Sequence, residues 1–222
     1  MTLSLARWQK LALLVLSVIA VLALFALAFT AGRVSAGADH PDASSADAGF
    51  ARDMQVHHRQ AVEMSMIVRD ETDDETLRAV AYDIVTTQQG QAGQMYAWLE
   101  EWGLPQSSSE PQMAWMAGAS GDHGGMDMGS GAGGDEASML TPEGLMPGMA
   151  TQAQLDELRA AEGEDAERLY LNLMIAHHEA GVDMAAAGAE LGETEQVRSL
   201  ATKIRSGQQA EIDLMESMLA DL

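Results

Sequence analysis

Cysteine is absent from the 222 residues, and with it go disulfide scaffolds, thiolate zinc sites, iron–sulfur ligation and cysteine nucleophiles. Any metal site has to be built from His, Met, Asp or Glu. Basic residues are scarce: 12 Lys and Arg stand against 34 Asp and Glu, for a formal net charge of -22. Three of those bases, Arg7, Lys10 and Arg33, precede the first acid, Asp39, so the rest of the chain is more acidic still. Such a surface repels phosphate, which excludes nucleic acid as a partner, and it attracts cations. Aromatic residues are only 5% of a chain that is 47% hydrophobic and rich in Ala and Met, a composition that favours helices over sheets. Enzyme signatures are missing too. There is no Glu-x-x-His, no second His to make a zincin of His178-Glu179, no Gly-rich phosphate loop and no nucleophile elbow, so a binding protein is expected rather than an enzyme.

What is present begins with an uncharged apolar run over residues 11–29, which as a helix nearly spans a hydrocarbon core. Arg7 and Lys10 precede it and Arg33 follows, a bias that places the N-terminus in the cytoplasm and the body outside. The alternative is a signal peptide cleaved near Val34-Ser35-Ala36 or Ala36-Gly37-Ala38, although the run is longer than a usual signal core. Both readings put the body outside the cytoplasm. Residues 1–32 are therefore taken as anchor or signal and residues 33–48 as a polar tether. Residues 49–222 form the folded domain.

That domain is internally duplicated. At an offset of 120 residues, Met54, His57, His58, Val62 and Met64 return as Met174, His177, His178, Val182 and Met184. Glu75, Arg78, Ala81, Ile84, Gln88, Gln89, Met95 and Leu99 return as Glu195, Arg198, Ala201, Ile204, Gln208, Gln209, Met215 and Leu219. Each repeat, 50–102 and 151–220, reads as two helices joined by a tight turn. Thr72 with Glu75 is expected to cap the second helix of the first repeat, and Gly192 takes that position in the second. The apolar residues follow spacings of three, four and seven, one stripe per helix, and two such hairpins bury their stripes best as a four-helix bundle. Between them, residues 103–150 hold 11 of the 21 glycines and 4 of the 5 prolines, which argues against regular structure. Thr151 with Gln154 is a capping box for a short helix leading into the second repeat.

Candidate metal ligands lie on the first helix of each repeat. Met54, His58 and Ala61 share a face, with His57 and Met64 on its flank, and Met174, His177, His178 and Met184 repeat the arrangement with Gly181 in place of Ala61. Imidazole and thioether together suit copper, and thioether favours Cu(I). A His or Met on one apolar face is more often core packing than a ligand, but two adjacent histidines recurring in the same setting need polar partners wherever they are buried. Gln88 and Gln208, polar in otherwise apolar stripes, either orient those imidazoles or pair across the bundle. Glu63 and Asp183 fall on the opposite side and are expected to face solvent. Asp53 can join His57 one turn away, but its counterpart is Leu173. The connection adds His123, Met126 and Met128 as possible auxiliary metal donors; there the alternative is ordinary low-complexity sequence.

The segment from Phe50 to Met64, with the doubled Met-x-x-His-His pattern at Met54 and Met174 and the run Met146-Pro-Gly-Met149, resembles the domain-of-unknown-function family 305 over roughly residues 47–220. The resemblance implies an all-α, ferritin-like four-helix bundle, exported or membrane-anchored, with some members copper-binding proteins concerned with copper tolerance. It places the metal-associated positions at Met54, His57, His58 and Met64 and at Met174, His177, His178 and Met184. The expected function is extracytoplasmic copper binding, Cu(I) above all, for buffering, delivery or tolerance. The expected partners are the metal, the membrane and either a second copy of the chain or a copper-handling protein. A structural or partner-binding bundle without metal is the alternative.

Overall fold

In the computed structural model, residues 6–36, 40–118 and 139–222 are described. Among them are six α-helices and one 3-10 turn, and no strand. They fall into two units, divided between His40 and Pro41. The first contains α1, Arg7–Ala36, whose stretch Arg7–Thr30 holds an 18-residue window of mean hydropathy 3.0 and is long and apolar enough to cross a membrane.

The second unit is the bundle. Helix α2 (Ala46–Glu71) folds back on α3 (Glu75–Glu101), and α5 (Gly163–Leu191) folds back on α6 (Glu195–Asp221). The two hairpins meet chiefly through α2 and α5. These run antiparallel, since Ser65 reaches Tyr170 while Asp47 reaches Thr194. The short helix α4 (Gln152–Ala160) lies against the second half of α2 and the start of α5 and opens with the expected capping box, Thr151 and Gln154 bonding reciprocally.

The helix starts depart from the sequence expectation in detail. Asp74, not Thr72, caps α3, its carboxylate accepting from Leu77 N at 2.6 Å, and Thr194, not Gly192, caps α6. Thr72 and Gly192 instead end the preceding helices. Thr72 stands two residues ahead of Asp74, too early to reach the N–H groups inside α3: its oxygen accepts from Asp74 N at 3.0 Å while its hydroxyl bonds Glu167 of α5, and Asp74, directly before the helix, takes Leu77 N. Helix α2 also starts earlier than residue 50, on the Ser45 cap. At the far end of α3, Gly103 takes φ +68 while Leu104 N bonds Leu99 O at 2.8 Å, the left-handed stop that glycine supplies at least cost.

The two turns are tied by equivalent devices. Arg78 donates to the carbonyls of Arg69 and Thr72, and its counterpart Arg198 donates to those of Gly192 and Glu193. Each hairpin also reaches into the other's turn. Buried Asp47 accepts from Glu193 N at 2.6 Å, Thr194 N at 2.9 Å and the Thr194 hydroxyl, and its counterpart Glu167 accepts from Thr72. Salt bridges add little, but exposed Glu63 pairs with Arg159 of α4 on the outer face as its position predicts.

Apolar burial separates into two layers. One contains Phe50, Met54, Met95, Leu99, Met184, Val197 and Ile204, joined by Met113, Met116 and Met146 from the connection. The other contains Ala61, Met64, Val68, Leu77, Ile84, Tyr170, Met174 and Met215. Fully buried side chains of this size contribute about 1.5–3 kcal/mol each, so these layers dominate the stability of the bundle. Between them in sequence, on both α2 and α5, stand the histidines.

Candidate metal centre

All four histidines are completely buried. They sit in mid-helix, where backbone groups are already bonded within α2 and α5, so only the imidazole nitrogens need partners. Each hairpin supplies one to itself. His58 Nε2 is 2.8 Å from Gln91 Oε1 on α3, and His178 Nε2 is 2.8 Å from Glu211 Oε2 on α6. Gln91 and Glu211 are themselves related by the repeat offset. The other two histidines meet across the hairpins. The His57 and His177 rings are 3.7 Å apart between centroids with planes 30° from parallel, and His177 Nε2 lies 3.1 Å from the His57 carbonyl.

These partners select the protonated nitrogen. A carbonyl or a carboxylate oxygen offers only lone pairs, so His177 and His178 carry a proton on Nε2, and His58 does so while Gln91 presents its Oε1. In its neutral form each then has a bare lone pair on Nδ1. The Nδ1 atoms of His58, His177 and His178 are buried and bond nothing, and neither nitrogen of His57, whose ring lies toward the Pro147 carbonyl, makes a hydrogen bond of good geometry. Unpaired buried acceptors are costly and uncommon. Burial holds His57, His58 and His177 neutral. It pushes His57 down to about 3, helped by nearby His58 and His178, and His58 down to about 4 against the Gln91 bond. His177 is also lowered well below 6.5 by burial, with the other three histidines adding to the effect. Neutral imidazole is the form that binds a metal.

The thioethers flank this layer. Met54 shares its apolar cluster with Met184, and Met64 shares the other with Met174, so each side of the histidines receives one methionine from each hairpin. All four are buried. Met54 is one helical turn from His57 and His58, and Met174 one turn from His177 and His178, spacings that make side chains neighbours. Among the described residues no three His, Asp or Glu side chains stand ready as a cage for an ion. Nitrogen and carboxylate donors alone therefore do not form a ready site, and the other buried donors on the same two helices are the four thioethers, which with imidazole make a soft set. Such a set suits a soft ion and not calcium or magnesium.

The remaining candidates are placed as follows. Gln88 and Gln208 are buried, and all four of their carboxamide atoms lack a hydrogen-bond partner. Gln208 lies over Gly181, where an added Cβ would sit 2.2 Å from its Oε1; the space above that glycine is filled by the carboxamide. Asp53 faces away from the histidines. Its Oδ2 accepts from Met113 N at 2.7 Å and from Trp115 Nε1 at 2.9 Å, tying down the start of the connection, and burial raises its pKa. The end of the connection is strapped by Gln60, which both donates to Ala150 O at 2.9 Å and accepts from Ala150 N at 2.7 Å. There Gly148, at φ +72, brings backbone against Ala176 O and His177 Cα. His123, Met126 and Met128 lie outside the described residues. Sequence reasoning missed Gln91 and Glu211, whose only signal was their shared place at the repeat offset, one turn beyond Gln88 and Gln208.

Comparison with known proteins places this geometry in context. The domain of unknown function DUF305 matches residues 47–219. A crystal structure of a DUF305 protein from Streptomyces coelicolor, assigned as secreted, is 45% identical, with a TM-score of 0.68 over 81% of this chain and 95% of that one. A DUF305 fragment from Deinococcus radiodurans is 29% identical, with a TM-score of 0.59 over 80% of this chain and 97% of that one. CopM in its Cu(I)-bound form shares the fold at 20% identity, with a TM-score of 0.56 over 79% of this chain and 96% of that one. CopM in its Cu(II)-bound form is also similar. Among curated proteins, no sequence matches the chain.

Proposed function

This chain belongs to the DUF305 family, and from that premise we propose that its bundle binds copper, Cu(I) in particular, outside the cytoplasm, for buffering, delivery or tolerance. The observation that carries the reading is the set of buried imidazoles whose Nε2–H groups are spoken for and whose Nδ1 lone pairs are not. Metal-binding histidines characteristically donate their other N–H to a carboxylate, a backbone carbonyl or water. Here Glu211 and the His57 carbonyl are two such acceptors, and the Gln91 amide oxygen takes the same part at His58. The thioether layers on either side supply soft donors that stabilise Cu(I) over harder ions. The ligands in this reading are His57, His58, His177 and His178 with Met54, Met64, Met174 and Met184, and Gln91 and Glu211 orient His58 and His178. CopM, a bundle of the same fold, is seen with Cu(I) and with Cu(II) bound, which supports copper as the ion to test first.

The role is binding, not catalysis. Helix α1 serves as anchor or as export signal, in keeping with its length and hydropathy and with the secreted relative. The membrane and a second copy or a copper-handling protein complete the set of partners.

A second reading, a metal-free bundle with a hydrogen-bonded histidine core, is favoured by the His57–His177 stack and by the absence of a ready cage among the described residues. Titration with Cu(I) against a calibrated chelator separates the two. Tight binding should vanish when His57, His58, His177 and His178 are all changed to Ala; undiminished affinity in that variant would overturn the copper reading.

A further inference from the structure

The duplicated halves match in turn chemistry and histidine placement, yet they differ at the side chain that hydrogen-bonds His58 in one and His178 in the other. In the first hairpin that residue is Gln91, a neutral amide; in the second it is Glu211, a carboxylate, with the same 2.8 Å contact to Nε2. The Glu211 side chain is 25% exposed while that of His178 is wholly buried. It thus connects solvent to the histidine layer and places a carboxylate at the edge of the imidazole cluster, where the first hairpin has a neutral amide.

We propose that Glu211 is a positioning residue that makes the two half-sites unequal, so that the second hairpin, through His178, is the stronger and first-loaded half. The inference rests on the copper reading above. A carboxylate holds the Nε2 proton more firmly than an amide oxygen, and the electron density it lends to the ring makes the opposite nitrogen a better donor. It also fixes the ring without ambiguity. An amide can turn over and present its NH₂ group, which would select the other tautomer at His58; a carboxylate has no such alternative. When a cation binds at His178, the nearby charge offsets the cost of placing it in a buried site. Gln91, a neutral amide, supplies no such charge to His58.

The test uses the detergent-solubilised full chain and Cu(I) competed against a calibrated chelator. Glu211→Gln should weaken the tighter binding event by about ten- to a hundred-fold, with little change in the metal-free melting temperature. Gln91→Glu should strengthen the weaker event. The exchanged variant Q91E/E211Q should restore the overall affinity and move the first-loaded histidine from His178 to His58, read from the ¹⁵N and ¹H signals of the two imidazoles during the titration. A merely structural contact would not move that signature. Wild-type Cu(I) binding that is unchanged in all three variants would overturn the inference while leaving the copper reading intact. Failure of the wild-type chain to bind Cu(I) would overturn the copper reading, and with it this one.

Discussion

His57 and His177 occupy equivalent positions in the two hairpins and touch each other, ring against ring, at the point where α2 and α5 cross. Two neutral imidazoles stacked in an apolar interior are held there at the expense of protonation, so the metal-free bundle is coupled to pH.

The sign follows from the folded and unfolded values. Unfolded histidine titrates near 6.5, whereas burial holds folded His57 near 3 and His58 near 4, with His177 also lowered. Between these values the unfolded chain binds more protons, so stability is complete above about 6.5 and is lost as pH falls. Each such imidazole removes about 1 kcal/mol per pH unit in that window. Asp53, raised by burial, acts in the opposite sense but is a single group. Thermal melts of the metal-free protein between pH 7 and pH 5 should show a steep decline in Tm. A flat profile would contradict the neutral, buried cluster.

Replacing both stacked rings with leucine tests what they are for. Leucine has no polar atom to leave unpaired, and removing unsatisfied buried groups commonly gains about 1–3 kcal/mol. The double variant His57→Leu with His177→Leu should therefore melt higher than wild type without metal, and its Tm should respond less to acid. Its stabilisation by Cu(I) should be lost. A lower metal-free Tm would instead mark the pair as a structural hydrogen-bonding core.

Asp47 should prove a strong point of docking between the hairpins. It is fully buried and accepts two backbone N–H groups and a hydroxyl at the α5–α6 turn. Asp47→Ala leaves those donors behind, at a cost of about 1–3 kcal/mol or more, visible as a lower urea midpoint. Glu167→Ala, which removes a single bond to Thr72, should cost less.

Two glycines on α5 should respond differently to a methyl group. At Gly188 an added Cβ would lie 2.5 Å from the Phe50 ring, whereas at Gly181 it would meet the end of the Gln208 side chain, which can swing aside. Gly188→Ala should destabilise by about 1–3 kcal/mol through overpacking. Gly181→Ala should be nearly neutral, because alanine's higher helix propensity, about 1 kcal/mol, offsets the displacement. Denaturation midpoints of the two variants give the comparison.

The bundle and its duplication were legible because fixed register survives as matching letters, and the apolar stripes carry the helical period. The cap residues were less so. Thr72 and Asp74 both suit a helix start; Thr72 accepts from Asp74 N and bonds Glu167 of the other hairpin, and Asp74 takes Leu77 N, a division of partners no local pattern contains. The histidines and methionines stood out by recurrence. Gln91 and Glu211 did not, since an amide facing an acid breaks the letter match and neither lies in the buried stripe. Gln88 and Gln208 drew notice for the opposite reason, as polar residues among apolar ones, yet it is their neighbours one turn on that hold the imidazoles. Which ring nitrogen keeps its proton is set by those partners, and so only three-dimensional contacts reveal it.

A residue that meets its own equivalent on a two-fold axis is the hallmark of an isologous dimer. The His57–His177 contact and the reciprocal ties of Asp47 and Glu167 give this single chain the geometry of two identical hairpins paired face to face. In such a dimer any substitution appears twice, and the two halves of the centre stay identical. Fusion into one polypeptide lifts that constraint. Gln91 and Glu211 are then free to differ, and so are Gln60 and its counterpart Ala180, which let one side alone hold down the connecting segment. Covalent linkage thus turns a symmetric assembly into a polarised one, with a front and a back that a dimer of single hairpins does not possess.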